Sequence, residues 1–74
     1  MDEQGLKALL IRENADFRQV HEEHRVCEAA LAALSGKAVL TPAEELEEKG
    51  LKKRKLALKS RMYVLMEEVR RARR

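Results

Sequence analysis

The residues with reactive side chains lie close together: His21-Glu22-Glu23-His24-Arg25-Val26-Cys27-Glu28 carries two imidazoles, a thiol and three carboxylates in one short stretch. Imidazole, thiolate and carboxylate are the groups that bind zinc. Their spacing points away from a built site. A helical zinc-protease motif needs its histidines four apart on one face, and here they are three apart. The Glu-x-x-His pair of di-iron bundles fails too, because His21 stands where the glutamate belongs. His24 with Cys27 or Glu28 would need another chain to complete a metal shell. We read His24 as a polar residue inside a helical seam and Cys27 as a small buried apolar residue; no metal and no cofactor is expected.

The second chemistry-bearing group is basic. Lys52-Lys53-Arg54-Lys55 and the arginines Arg70, Arg71, Arg73 and Arg74 can neutralise phosphates. Consecutive residues of a helix point around all its sides, so the run is not one flat face, and no aromatic side chains interleave for base stacking. Lys52, Lys53, Lys59 and the four arginines are the candidate polyanion contacts. Nucleic acid is the alternative partner, with an accessory role on the basic face of the second helix. Tyr63, Ser60 and Ser35 have no triad partner at readable spacing, and there is no glycine-rich phosphate loop. A two-helix rod also lacks the concave site that catalysis uses, so the chain is not expected to be an enzyme.

The elements that must position these groups are two long helices. Leu6, Leu10, Phe17, Val20, Cys27, Leu31 and Leu34 recur at intervals built from three and four, with Glu13 and His24 filling the remaining positions of the series. Leu51, Leu58, Met62, Leu65 and Val69 do the same in the second half, interrupted by Lys55. Such a stripe marks a helix with one sealed face. These residues are the predicted hairpin seam. Between the halves lies Ser35-Gly36-Lys37-Ala38-Val39-Leu40-Thr41-Pro42. Gly36 is expected to end helix 1 with a positive φ. Thr41 and Glu44 form a capping-box pattern, with Pro42 at the first helical position. The expected elements are helix 1 over about residues 2–35, a turn over 36–41 and helix 2 over about 42–73, in one unit of residues 1–74.

A connection of a few residues forces antiparallel neighbours, so residues whose numbers sum to about 76 are expected to face each other. That sets Leu31 against Leu46, Val20 against Leu56, Phe17 against Leu58 and Leu10 against Met66. It also sets Glu22 and Glu23 near Lys53 and Arg54, and Asp16 near Lys59 and Arg61. Residues 1–35 carry seven acids and four bases, and residues 41–74 carry six acids and eleven bases. The halves therefore attract, although each exposed pair contributes only about 0–1 kcal/mol.

At 74 residues with one cysteine, the chain is too short for a large core and has no disulfide to brace it; association with another chain is the expected support. A weaker apolar set lies off the main stripe: Ile11, Ala15, Val26, Ala29 and Ala33, then Leu56 and Tyr63. Ile11, Val26, Leu56 and Tyr63 are the candidate partner face. The acidic start Met1-Asp2-Glu3-Gln4-Gly5 lacks a signal peptide's basic region, and no apolar run reaches membrane-spanning length. A cytoplasmic protein without membrane contact is expected, and its free thiol fits a reducing compartment.

Two stretches carry a family resemblance. Arg12-Glu13-Asn14-Ala15-Asp16-Phe17-Arg18 followed by Glu23-His24, and Leu40-Thr41-Pro42 through Glu44-Glu45-Leu46-Glu47 continuing into Leu51-Lys52-Lys53-Arg54-Lys55-Leu56-Ala57-Leu58-Lys59-Ser60-Arg61-Met62-Tyr63, resemble the YdcH-like group of small bacterial proteins, a domain of unknown function. The likeness covers about residues 6–70, with Ser60 where the pattern carries Asp. It implies a cytoplasmic helical hairpin and supplies no catalytic residues. The reading as a whole is an all-α, coiled-coil-like antiparallel two-helix hairpin, packed into a dimer or larger bundle. It acts without catalysis, through contact with itself or with an unidentified protein.

Overall fold

Alanine, leucine, glutamate, lysine and arginine are the strongest helix formers, and they make up most of this chain. The structure, a computed structural model, describes residues 2–73. It contains three helices: α1 (Glu3–Glu13), α2 (Ala15–Ser35) and α3 (Pro42–Ala72). There is no strand among the described residues. The expected single helix over residues 2–35 is therefore two helices. The break falls at Asn14, whose backbone is extended at φ −119° and ψ 109°.

Asn14 ends one helix and starts the next. Its N–H donates to Leu10 O at 2.8 Å, closing α1, and its side-chain oxygen accepts from Phe17 N–H at 2.9 Å, capping α2. Asparagine is among the best N-cap residues because its short carbonyl reaches a free amide of the first turn. Arg18 completes the junction. Its guanidinium donates to Ile11 O at 2.8 Å and Arg12 O at 3.2 Å, the last carbonyls of α1, which otherwise lack partners. The other end of α1 is capped by Asp2, which accepts from Gly5 N–H at 2.7 Å.

The long axis is 49 Å and the cross-section 19 × 16 Å. At 1.5 Å per residue, α3 alone is about 46 Å long, so α1 and α2 lie alongside it. Packing is strongest at the end away from the turn. Leu6 and Leu10 of α1, Phe17 of α2, and Met62, Leu65 and Met66 of α3 form one buried cluster, with Ile11, Val20 and Val69 packed against it. Phe17 is fully enclosed at 0 % exposure and Met66 nearly so at 1 %. Burying such a side chain contributes about 1.5–3 kcal/mol. Nearer the turn, only Cys27 and Leu34 are buried.

The turn departs from expectation at Gly36. It caps α2 with φ −76° and ψ −11°, an ordinary right-handed conformation, and no glycine among the described residues has a positive φ. Its N–H bonds back to Ala32 O at 3.2 Å and that of Lys37 to Leu34 O at 3.1 Å, so the last turn of α2 tightens instead of reversing hand. The start of α3 matches expectation: Thr41 Oγ1 accepts from Glu44 N–H at 3.1 Å, and the Glu44 carboxylate accepts from Thr41 N–H at 3.0 Å.

Gly50 lies inside α3, and a methyl group there would meet no atom within 4 Å. Gly50→Ala is expected to raise stability by about 0.5–1 kcal/mol, because alanine loses less backbone entropy on helix formation. Urea unfolding followed by circular dichroism checks it.

Candidate functional site

All thirteen seam residues predicted from the sequence face inward to some degree. Leu6, Leu10, Phe17, Cys27, Leu34, Met62 and Leu65 are buried, while Val20, His24, Leu31, Leu51, Leu58 and Val69 are half-buried. Met66 belongs with them. Two of the pairings expected across the seam are not made, and one of the four partner-face residues lies elsewhere. Leu46 and Leu56 are 73 % and 66 % exposed, not packed against Leu31 and Val20. At about 100° per residue, Leu46 sits about 160° and Leu56 about 120° around the helix from buried Met62. Ile11 is half-buried against the core and is not part of an outer face. Val26 is exposed, but on a different side from Leu56.

The two sides differ. On one, Val26 borders a shallow cleft with Glu23 and Arg54, where Arg54 Nη2 lies 3.7 Å from Glu23 Oε1. On the other, Leu56 lies in an open groove with Glu28, Leu31, Ala32, Lys52 and Lys59. Tyr63, 50 % exposed, continues that side, beside Lys59 and Lys7. The candidate partner face is thus split, and only Leu56 and Tyr63 share a flank.

Between the distal core and the turn, the seam mixes apolar residues with a polar group. Glu28 bridges two groups: its Oε1 is 3.1 Å from His24 Nδ1, and its Oε2 is 3.7 Å from Lys55 Nζ. His24 Nε2 is buried with no hydrogen-bond partner. Leaving a buried polar atom without a partner costs about 1–3 kcal/mol. His21, one turn earlier, stacks on Phe17 with ring centroids 6.4 Å apart. No three His, Cys, Asp or Glu side chains among the described residues are grouped to hold a metal ion.

The basic residues divide. Arg54 and Lys55 reach across to Glu23 and Glu28. Lys52 lies 3.6 Å from Glu48 and Arg70 3.9 Å from Glu67, each within α3. Lys53, Lys59, Arg71 and Arg73 are exposed and have no acidic partner among the described residues; Arg74 lies outside the described residues. The expected pairing of Asp16 with Lys59 or Arg61 is not made. Glu22, expected near Lys53, instead takes Arg25 in a two-point contact at 2.7 and 3.0 Å. Residues three apart on one helix meet without crossing the seam.

The charge most firmly held is at the turn. Glu44 bonds Lys37 Nζ as well as the Thr41 amide. These contacts, Lys37 first, lower its carboxyl from the ordinary value of 4.5 to about 2. Arg25 likewise lowers Glu22.

Set against known proteins, the chain matches a family model described as "Protein of unknown function (DUF465)" over residues 17–66. No curated protein and no solved structure matches. No helix among the described residues is long and apolar enough to cross a membrane.

Two outcomes follow from the geometry. A carboxyl whose folded value is lowered stabilises the fold fully above its unfolded value, and that contribution is lost as pH falls through the folded value. The native chain is therefore expected to lose thermal stability between about pH 4.5 and pH 2, and Glu44→Gln, which keeps the Thr41 bond but not the charge, to lose less over that window. Melting curves across a pH series check this. His24→Leu is expected to raise stability by about 1 kcal/mol, since it removes a buried atom without a partner; urea unfolding reads the change.

Proposed function

The chain belongs to the DUF465 family, and from that premise we propose that it is a non-enzymatic helical module of the bacterial cytoplasm that works by self-association and protein–protein contact. One observation carries this reading: α3 leaves Leu46, Leu56, Tyr63 and Val64 exposed at 73 %, 66 %, 50 % and 48 %. A chain with so small a core gains most by covering such residues with another helix. The coiled-coil stripe and the helix lengths suit that kind of packing.

The nucleic-acid alternative draws on residues 49–66, which hold seven bases and no acid. Three of those bases, Lys52, Arg54 and Lys55, already lie beside carboxylates. A phosphate backbone would also leave Leu56 and Val64 uncovered, so protein contact accounts for more of the surface.

Sedimentation equilibrium across roughly two decades of micromolar concentration tests the proposal. The expected result is a mass above the 8.5 kDa of one chain that rises with concentration. A strictly monomeric, folded chain throughout overturns it.

A further inference from the structure

Three unpaired lysines of α3 gather on one side of the helix. At about 100° per residue, Lys49, Lys53, Lys59 and Tyr63 all lie within about 60° of Leu56. All five side chains are exposed, and the three lysines have no acidic partner among the described residues. No acid occurs on α3 between Glu48 and Glu67. Glu28 and Glu48 do line the groove beside Leu56, but Lys55 and Lys52 already lie beside them. From Lys49 to Tyr63, about 21 Å along the helix, this flank therefore carries uncompensated positive charge. Leu56 and Tyr63 project from it at 66 % and 50 % exposure. On the opposite flank, by contrast, Glu23 and Arg54 lie beside each other, and Glu22 holds Arg25.

We infer that this flank docks an acidic amphipathic helix of a different protein, lying alongside α3. The inference rests on the protein-contact part of the proposed function and names the partner's chemistry. Leu56 and Tyr63 are seven residues apart, so a helix lying along α3 with apolar residues at the same repeat covers both. Carboxylates on either side of that apolar stripe then reach Lys53 along one edge and Lys59 along the other. Such edge pairs add little affinity, but together they select an acidic partner and speed the encounter. Burial of Leu56 and the Tyr63 ring supplies the hold. A phosphate backbone would engage the lysines alone and leave Leu56 in water. A second copy of this chain is poorly matched, because seven of its 13 acidic residues already lie beside a Lys or Arg of their own chain. Leu46 and Val64 lie about 80° further around α3 from Leu56 and form a separate strip.

The test is fluorescence anisotropy with the whole chain and a labelled helical peptide of alanine and glutamate carrying leucine at every seventh position. A peptide with serine for each leucine, a single-stranded oligonucleotide and phosphatidylglycerol vesicles are the comparison ligands. The leucine peptide is expected to bind the native chain more tightly than any of the three. Leu56→Ser and the double variant Lys53→Glu/Lys59→Glu are each expected to weaken it at least about tenfold. Val26→Ser, on the other flank, is expected to leave it unchanged. All these side chains are exposed, and circular dichroism confirms that each variant keeps its helicity. No binding of the leucine peptide, equal binding by Leu56→Ser, or tighter binding of the serine peptide, the oligonucleotide or the vesicles overturns the inference. Sedimentation of the same samples separates it from self-association. A self-associating native chain that ignores the peptide overturns this docking face alone, and a monomeric one that binds the peptide overturns self-association alone. Loss of self-association in Leu56→Ser gives the flank to a second copy and also overturns the inference.

Discussion

The fold depends on how the chain passes through Asn14. One residue there leaves helical geometry, and three contacts make that departure stable: Asn14 N–H to Leu10 O, Asn14 side chain to Phe17 N–H, and Arg18 to the carbonyls of Ile11 and Arg12. The Phe17 amide and the carbonyls of Leu10, Ile11 and Arg12 thus keep partners across the break, which lowers the cost of ending a helix there. Phe17, held by the first turn of α2, is enclosed between α1 and α3. The Glu13-Asn14-x-x-Phe17-Arg18 pattern is in this sense one structural device, made of cap, core anchor and carbonyl clamp.

The seam beyond that device is built differently. Apolar packing holds the end where α1 is present, while His24, Glu28 and Lys55 form a polar layer between that core and the turn. Such a layer adds little stability and can lose some, as the unpartnered His24 Nε2 indicates. What it supplies is a preference for one register. Sliding α3 by a turn would carry Lys55 away from Glu28 and leave a charge facing apolar side chains.

The sequence made much of this legible, and the failures have definite causes. Seam positions are readable because a 3-4 stripe survives whether or not the helix is continuous. For the same reason the stripe concealed the break: Leu6, Leu10 and Phe17 keep their spacing across Asn14, and only the residue type, a strong N-cap former followed two residues later by Asp16, signals a new start. Gly36 was misread through a tendency, since glycine permits a left-handed cap without requiring one. Leu46 and Leu56 were misplaced by pairing numbers across the hairpin without asking which side of α3 each occupies. The split of the outer face has the same origin, because Val26 and Leu56 lie on the two sides of the rod.

The main core joins segments that are far apart along the chain. Leu6 and Met66 belong to one cluster, with roughly sixty residues between them, so their meeting demands closure of a very long loop. The turn at residues 36–41 is capped by local bonds that need no core, notably Thr41 with Glu44 and Glu44 with Lys37. The bonds that shape the turn are thus local, whereas the largest apolar burial lies at the far end of the rod. Without the α1 segment, the turn would keep its local bonds while Phe17, Met62, Leu65 and Met66 lost one wall of the cluster that encloses them.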